Sequence, residues 1–500
     1  MHIKDVAATK IRIVVLFLLF MKLLVTNPAM KNILSLIILW WFVAEPVCAE
    51  GLRISVRLAS SPDQKVLLTH YYGGNIFVDD TLLTDSEGSG VFEKSAGLPQ
   101  GLYKIYLDQE RHFDFLLGSD QTLDIVNPSF SLNGLEITGA EESKAFLDYM
   151  KWLRERQRQL SRLDSALAKA GEADKGKIEQ QIRELTAEVS HYWKEKSARY
   201  PGTFLARFLM ANYYEELKPE DIPAEFIAND SLKWTFEYNY RKNHFFDHFD
   251  LTDERLLYTP MAKSKLDTYF EKVLLQMYDS VKPAAYALIK HVESTPNSFR
   301  FVTSYLLNSS LNSKVMGVDA LFVDIARDYY LSGKAVWADS TTLAKVKENL
   351  IFLEHNLIGQ PAIDLRMETI DGQPFRLYQH NNPYLILVFY EPNCSHCKEF
   401  IPRLYKEVYL PYRDKGVEVV AGYTMNDKKE WEDFITQHHL TDWINVWDEH
   451  HLSRFKIIYD TRNTPATYLL DKDKSIIAKK FSIDFLKKYF AQYLGETSGG

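Results

Sequence analysis

The stretch from Tyr384 to Phe400, YLILVFYEPNCSHCKEF, is the most informative part of the sequence. From Tyr384 to Tyr390 it is apolar without interruption, which predicts a buried strand. A short loop follows, and a C-x-x-C pair, Cys394 and Cys397, then opens a segment with helical spacing of its apolar residues. We therefore expect both thiols in the first turn of a helix that follows a buried strand.

The start of a helix is a favourable place for a reactive thiol. Unpaired N–H groups and the positive end of the helix dipole stabilise a thiolate, which is the attacking species in disulfide exchange. We expect Cys394, at the exposed edge of this turn, to be the nucleophile and to have a lowered pKa. Cys397, one turn further in, is expected to be buried and to resolve the mixed disulfide. His396 is a candidate for tuning the pair, because a protonated imidazole favours the thiolate; an exposed polar residue is the alternative interpretation.

The front of the sequence predicts export. Met30 opens a charged start, an apolar run from Ile33 to Val43 follows, and the segment ends in an A-x-A-like site at Ala49. We interpret it as a signal peptide whose removal discards Cys48 and places the mature protein in the periplasm or cell envelope. Residues 1–29 are interpreted as an upstream extension. A membrane anchor at the N-terminus and a lipidated Cys48 stay open as alternatives.

The cysteine count and the net charge restrict the chemistry and the partners that the sequence predicts. The sequence has three cysteines, so the mature chain would keep the C-x-x-C pair alone. A disulfide between such close positions closes a very small loop and removes little entropy from the unfolded chain, so the pair is predicted to serve chemistry. The 59 Lys and Arg against 67 Asp and Glu give a formal net charge of -8, which gives no reason to expect a nucleic-acid partner.

Changes in hydrophobic period divide the sequence into segments. After the extension and signal peptide in residues 1–49, residues 50–139 alternate with period two and predict a small β domain. Residues 140–357 predict helices, beginning with a charged antiparallel pair and with boundaries at prolines such as Pro283. Residues 358–500 mix strand and helix patterns. The expected fold class is a multidomain protein with an all-β, an α-helical and a C-terminal α/β part.

The C-terminal segment predicts a definite order of elements. Residues 417–425 predict a strand, residues 426–438 a helix, and residues 463–481 two strands around a turn, which gives the order βαβαββα. Over about residues 360–495 the sequence resembles the thioredoxin superfamily, and more closely the TlpA/ResA-like exported thiol oxidoreductases. The residues that carry the resemblance are the C-S-H-C motif at 394–397, Lys398, Pro402 and the pair Thr464-Pro465.

The resemblance implies a thioredoxin-like fold and thiol-disulfide oxidoreductase activity that needs no metal and no organic cofactor. Pro465 would follow a cis peptide bond close to the dithiol, and Thr464 and Pro465 would position the substrate peptide. The implied partners are disulfide-bearing envelope proteins as substrates and, for a reductant, an electron donor in the membrane. The direction of electron flow stays open, because His396 also favours the thiolate of an oxidant.

The sequence departs from the family pattern in two places. Asn393 stands where a tryptophan usually precedes the first cysteine, and Val388 stands where thioredoxin has a buried aspartate. Proton transfer to Cys397 therefore lacks its familiar acid. Glu391 is a candidate replacement, and an exposed loop residue is the alternative interpretation.

The mature sequence as a whole resembles an arrangement of Bacteroidetes type. In that arrangement a DUF4369-like β domain and a DUF5106-like helical region precede the thioredoxin-like domain. The resemblance implies no functional residues in these two regions.

Three other functions compete with disulfide exchange. A zinc site would need further ligands from the histidine pairs His438-His439 and His450-His451. A thiol peroxidase would resemble peroxiredoxins, which have proline and threonine before the attacking cysteine where this sequence has Leu387 and Glu391. A redox-sensing or scaffold binding protein of the envelope is the third alternative, and the intact C-x-x-C pair argues against it.

Overall fold

The structure is a computed structural model and describes residues 51–495. The predicted signal peptide, the extension before it and Cys48 lie outside the described residues. From residue 51 onward the chain forms a β region, a helical region and a C-terminal α/β domain, in the order that the sequence predicts. No helix in this described part has both the length and the apolar character needed to cross a membrane.

The β region consists of two sheets that share one core. Its strands are β1 (Leu52–Arg57), β2 (Lys65–Tyr72), β3 (Asn75–Leu83), β4 (Ser89–Lys94), β5 (Gly101–Tyr106), β6 (His112–Leu117), β7 (Thr122–Val126) and β8 (Glu136–Thr138). One sheet has the order β4-β1-β7-β8 and the other the order β3-β2-β5-β6. Alternate residues such as Ile54 and Ile125 of the first sheet meet Leu68 and Phe115 of the second in this core. One buried face for each sheet explains the period of two in the sequence.

The helical region begins with a long antiparallel pair. Its helices are α1 (Glu141–Leu167), α2 (Glu172–Arg199), α3 (Phe204–Ala211), α4 (Ala224–Ile227), α5 (Asp230–His244), α6 (Met261–Thr268), α7 (Tyr278–Val292), α8 (Pro296–Leu311), α9 (Asp319–Ile325) and α10 (Ser340–Leu353). Trp152 of α1 stacks on Tyr192 of α2 with ring centroids 3.9 Å apart. Pro283 lies inside α7 and does not mark a boundary. The helix continues past it because tertiary packing holds it on both sides, with Val281 and Ile289 buried in the core.

A mixed sheet forms the centre of the C-terminal domain. Its strands are β9 (Arg366–Thr369), β10 (Pro374–Arg376), β11 (Tyr384–Tyr390), β12 (Val417–Tyr423), β13 (Ile444–Trp447), β14 (Ala466–Asp471) and β15 (Ile476–Lys479). Its helices are α11 (Ser395–Arg403), α12 (Lys428–Gln437), α13 (Phe455–Ile458) and α14 (Ile483–Leu494). The strand order is β10-β9-β13-β12-β11-β14-β15. Because β11 pairs with β12 on one side and β14 on the other, it is buried from Leu385 to Tyr390.

The predicted order βαβαββα is therefore incomplete. The strands β9, β10 and β13 and the helix α13 are present in addition. These elements have three or four residues each, which is too short for a periodic pattern to stand out in a sequence. They are fixed by pairing, since β13 runs beside β12 and β9 pairs with both β13 and β10.

Backbone hydrogen bonds fix the segment between the helical region and the C-terminal domain. The N–H of Ala362 donates to the backbone oxygen of Lys474 at 2.8 Å. The N–H of Ile476 donates to the backbone oxygen of Gln360 at 2.9 Å. The segment thus continues the C-terminal sheet beyond β15.

A buried ion pair joins the same two parts of the chain. Nζ of Lys479, in β15, lies 2.6 Å from Oδ2 of Asp319, in α9, and these side chains are 2% and 11% exposed. Lys479 also donates to Oδ1 of Asn356 at 2.9 Å. The C-terminal domain is consequently packed firmly against the helical region.

Candidate active site

The end of β11 and the start of α11 place the two cysteines. Cys394 immediately precedes α11 and has extended backbone angles, φ -72° and ψ 123°, while Cys397 lies in the first turn. Cys394 is partly exposed and Cys397 is fully buried, and both are free thiols. Both thiols therefore lie at the start of a helix after a buried strand, as the sequence predicts.

Hydrogen-bond donors around Cys394 favour its thiolate. Burial of the sulfur opposes ionisation, but hydrogen bonds from the Thr464 side chain, from the backbone N–H and the thiol of Cys397 and from the backbone N–H of His396 outweigh it. The pKa of Cys394 is therefore lowered from its ordinary value. The two N–H groups belong to the first turn of α11, where they lack partners within the helix. A lowered pKa makes this sulfur a nucleophile at pH values where an ordinary thiol is mostly protonated.

Burial has the opposite effect on Cys397. Removal from water raises the pKa of the Cys397 thiol to about 12. Its neighbours in the core include Val388 and Ile401, which are fully buried and apolar. The two sulfurs thus differ in exposure and in acidity, although they are only one helical turn apart.

The segment that precedes β14 contacts the sulfur of Cys394. The Cys394 thiol donates to the backbone oxygen of Thr464 at 3.3 Å. The peptide bond between Thr464 and Pro465 is cis, and both residues are partly exposed. The structure therefore brings Thr464 and Pro465, which the sequence singles out, to the mouth of the dithiol.

The backbone N–H of His396 donates a hydrogen bond to the sulfur of Cys394. Its side chain is exposed, and its N–H is one of the donors to Cys394. Among the hydrogen bonds and ion pairs of residues 51–495, none involves the imidazole of His396. The interpretation of an exposed side chain therefore fits, and the contact with the thiol comes from the N–H group.

The Glu391 carboxyl faces Thr424, the residue that follows β12. Oε1 of its carboxyl accepts a hydrogen bond from the Thr424 hydroxyl at 3.4 Å. The hydrogen bond that Cys397 receives from Glu391 comes from the backbone. The structure thus places the backbone of Glu391 beside Cys397, while its side chain turns toward the end of β12.

Asn393 ties the loop before Cys394 to α12. Its side-chain amide donates to Oε1 of Glu430, whose Oε2 accepts from the Tyr423 hydroxyl at 2.8 Å. Beside this contact lies a cleft of about 620 Å³, whose lining includes Lys398 and Phe434. Nothing in the sequence indicated Glu430, since the contact spans 37 residues. The cleft therefore lies beside the loop that leads into Cys394.

The active-site helix changes its winding after Pro402. The helix α11 ends at Arg403, and Leu404–Tyr409 continues it as a π-helical turn. Proline has no N–H to continue the regular hydrogen-bond pattern, which explains a change of winding here. Leu404 and Val408 of this turn are fully buried in the core that also holds Cys397.

The histidine pairs pack against aromatic rings. His438 lies 4.3 Å from the Phe434 ring and His451 lies 5.6 Å from the Phe455 ring, measured between centroids. Within residues 51–495, no group of three or more His, Cys, Asp and Glu side chains is placed to hold a metal ion. The described residues thus offer no set of ligands for the zinc alternative.

The sheet order, the dithiol at the start of α11 and the cis proline beside it are the features of a thioredoxin-like domain. Comparison with protein families agrees, because residues 358–479 match the model described as the AhpC/TSA family. The C-terminal part of the chain is therefore a thioredoxin-like domain of the AhpC/TSA family.

Several solved structures are similar to this chain. A thioredoxin-like protein from Bacteroides caccae is 18% identical, with a TM-score of 0.46, over 56% of this chain and 98% of that protein. A domain of a possible thiol-disulfide isomerase from Cytophaga hutchinsonii is 37% identical, with a TM-score of 0.26, over 28% of this chain and 93% of that domain. The thioredoxin domain of a thiol-disulfide oxidoreductase from Bacteroides vulgatus is 21% identical, with a TM-score of 0.26, over 27% of this chain and 96% of that domain. No curated protein matches the chain.

Proposed function

We propose that this protein is an exported thiol-disulfide oxidoreductase that reduces disulfides of cell-envelope proteins through Cys394 and Cys397. The observation that carries the proposal is the contrast between the two thiols. The pKa of the partly exposed Cys394 is lowered, whereas burial raises the pKa of Cys397 to about 12. This contrast suits one thiol that attacks and one that resolves. Export rests on the predicted signal peptide that ends near Ala49.

The first step is attack by the Cys394 thiolate on one sulfur of a substrate disulfide. A bond forms between the two sulfurs, the substrate S–S bond breaks, and the second substrate sulfur leaves as a thiolate. Cys397 then loses its proton and attacks the Cys394 sulfur, which releases the first substrate sulfur. One substrate thiolate takes the proton of Cys397 and the other takes a proton from solvent, which balances the proton that Cys394 lost on ionisation. The substrate has then gained two electrons and two protons, and the protein holds a Cys394–Cys397 disulfide.

The second step requires deprotonation of a buried thiol. In the free protein the charge and hydrogen bond of Cys394 add to the burial that raises the pKa of Cys397. Formation of the mixed disulfide removes the Cys394 charge, so ionisation of Cys397 becomes easier. The substrate thiolate released in the first step is the base that takes the proton, since Val388 stands where an acid would otherwise relay it.

Thr464 and Pro465 position the substrate peptide. The backbone oxygen of Thr464 accepts from the Cys394 thiol in the free protein. When Cys394 becomes part of a mixed disulfide, this oxygen is released and can accept an N–H of the substrate backbone. The cleft beside Asn393 offers room for the residues that flank the substrate cysteine.

A reductant of this kind must be reduced again after each cycle. The proposed partners are therefore disulfide-bearing envelope proteins as substrates and an electron donor in the membrane. No metal and no organic cofactor takes part in the exchange.

The reduction potential of the Cys394/Cys397 couple tests the proposal. The mature protein is equilibrated in graded glutathione or dithiothreitol buffers, and its free thiols are trapped and counted by mass. A potential at or below about -250 mV supports a reductant, and a potential near about -120 mV would make the protein an oxidant. If no disulfide forms between Cys394 and Cys397 while Cys394 remains alkylatable, the proposed activity is wrong.

A ligand-binding role for the first two regions is a second candidate. A cleft of about 650 Å³ lies between the β2–β3 turn and α8, and its lining combines the rings of Tyr72, Phe77 and Phe301 with the charge of Arg300. Such a mixture of aromatic and polar groups is usual in binding sites. A redox-inactive dithiol would favour this role over disulfide exchange.

A further inference from the structure

The segment that carries Thr464 has little backbone support of its own. Among the described residues, the N–H groups of Arg462, Asn463 and Thr464 donate no backbone hydrogen bond. The next element, β14, begins only at Ala466. Side-chain contacts can therefore contribute strongly to where this segment lies.

Arg462 provides such contacts and reaches from the C-terminal domain to α10. Its Nη1 donates to Oδ1 of Asn349 at 2.9 Å, and its guanidinium carbon lies 4.2 Å from the centre of the Phe352 ring. The amide of Asn349 is itself oriented, because its Nδ2 donates to the backbone oxygen of Lys345 at 2.9 Å. On its other side, Nε of Arg462 donates to Oδ1 of Asp460 at 2.6 Å. The guanidinium is thus held between α10 and its own domain.

A second contact from the end of α10 holds the chain that leads into this segment. The side-chain amide of Asn356 donates to the backbone oxygen of Ile458, the last residue of α13, at 2.9 Å. Asn356 is fully buried and also accepts from Lys479. The helical region therefore holds the approach to Thr464 at two points.

We infer that Asn349 and Arg462 are positioning residues of the redox pair, because they fix the 462–464 segment so that Thr464 meets the sulfur of Cys394. The inference rests on the proposed function of that pair. Neither residue touches the sulfur; both act through Thr464, whose backbone oxygen lies 3.3 Å from it. The helical region thereby helps to set the reactivity of a thiol in another domain.

The test measures the pKa of Cys394 in the full mature chain carrying Asn349→Ala. This substitution leaves the C-terminal domain unchanged and puts a good helix former in α10, so the protein is expected to fold. Loss of the Arg462 contact should loosen Thr464 and weaken the hydrogen bond that its side chain gives to the thiolate, which raises the Cys394 pKa. The backbone oxygen of Thr464 accepts only from the protonated thiol, so loss of that contact offsets part of the rise. We expect the thiolate fraction at pH 7 to fall about threefold or more, as read from the rate of iodoacetamide alkylation against pH.

Three further variants sharpen the test. Arg462→Ala should raise the Cys394 pKa at least as much as Asn349→Ala, because it also removes the contacts with Asp460 and Phe352. The double variant should match Arg462→Ala alone, because the contact between Asn349 and Arg462 is already absent there. Asn349→Asp keeps an oxygen acceptor for Arg462 and should restore the wild-type value. The matched control is Glu348→Ala, an exposed position on the same helix, which should change nothing.

Urea unfolding of each variant separates positioning from general support. If Asn349→Ala and Arg462→Ala lower the unfolding midpoint but leave the Cys394 pKa at the wild-type value, the inference is overturned. The same holds if neither quantity moves. Alkylation of the reduced protein needs no disulfide exchange, so this result is independent of whether the proposed oxidoreductase function holds.

Discussion

The sulfur of Cys394 and the backbone oxygen of Thr464 lie 3.3 Å apart, although 70 residues separate them in the sequence. A carbonyl oxygen can accept a hydrogen bond but cannot donate one, so this contact belongs to the protonated thiol. On ionisation the donors take over, namely the Thr464 side chain and the N–H groups of the first turn of α11. The segment around Thr464 therefore contacts both protonation states of the Cys394 sulfur, through different atoms.

The two thiols should separate clearly in a pH titration. Because its pKa is lowered, Cys394 should react with iodoacetamide at pH values below those needed for an unperturbed cysteine. Cys397, with a pKa near 12, should stay unreactive over the range in which the protein is folded. Mass spectrometry of the alkylated peptides measures each site, with the Cys394→Ser and Cys397→Ser variants as controls. Equal reactivity of both sites at high pH would contradict the assignment of roles.

Single cysteine variants should trap different amounts of substrate. With Cys397→Ser, the mixed disulfide on Cys394 cannot be resolved and should accumulate in cells as higher-mass species on non-reducing gels. With Cys394→Ser, the remaining thiol is buried and should trap few partners. A predominance of adducts in the Cys394→Ser strain would reverse the proposed order of attack.

The N–H of residue 396 should matter more than the imidazole. His396→Pro removes one backbone donor to Cys394 and should raise the Cys394 pKa, because proline has no N–H and tolerates the first turn of a helix. His396→Ala keeps the donor and should leave the pKa close to that of the wild type. Thiolate absorbance in the far ultraviolet, followed against pH, provides the readout. A larger shift for His396→Ala than for His396→Pro would assign the effect to the ring instead.

The buried ion pair between the domains should be sensitive to removal of one partner. Lys479→Ala leaves the carboxylate of Asp319 buried without its cation, which typically costs about 3–5 kcal/mol of stability. Lys429→Ala breaks the exposed pair with Asp433, whose side chains are 79% and 67% exposed, and should change the stability little. Urea unfolding followed by tryptophan fluorescence compares the two. Equal midpoints for both variants would show that the interface does not depend on this pair.

Peroxide should be a poor substrate for Cys394. The positions that carry proline and threonine in peroxiredoxins are here Leu387, which is buried in β11, and Glu391, whose carboxyl accepts from Thr424. Neither offers a hydroxyl donor to a peroxide. We expect hydrogen peroxide to oxidise Cys394 no faster than a simple thiol of similar pKa, measured by competition under stopped flow. A markedly faster reaction would restore the peroxidase alternative.

The sequence predicts those features of the site that depend on contiguous residues. The strand β11, the C-x-x-C pair and the start of α11 are contiguous, so hydrophobic pattern and spacing were enough to place the thiols. The contact between Arg462 and Asn349 spans 113 residues and leaves no periodic trace. The Glu391 carboxyl is oriented by its hydrogen bond with Thr424, which follows β12. The direction of this side chain therefore could not be predicted from the position of Glu391 in the sequence.

The segment between residues 359 and 362 is hydrogen-bonded to the margin of the C-terminal sheet at β15. A strand at the margin of a sheet offers free N–H and C=O groups to any passing chain, which is a common route to aggregation. Here Pro361 forms a bridge with Ser475, and Gly359 donates to the backbone oxygen of Ile476 at 2.9 Å. The connecting segment thus shields the margin at β15. A fragment that begins after Ala362 would expose that margin, and we expect it to self-associate more readily than the full chain.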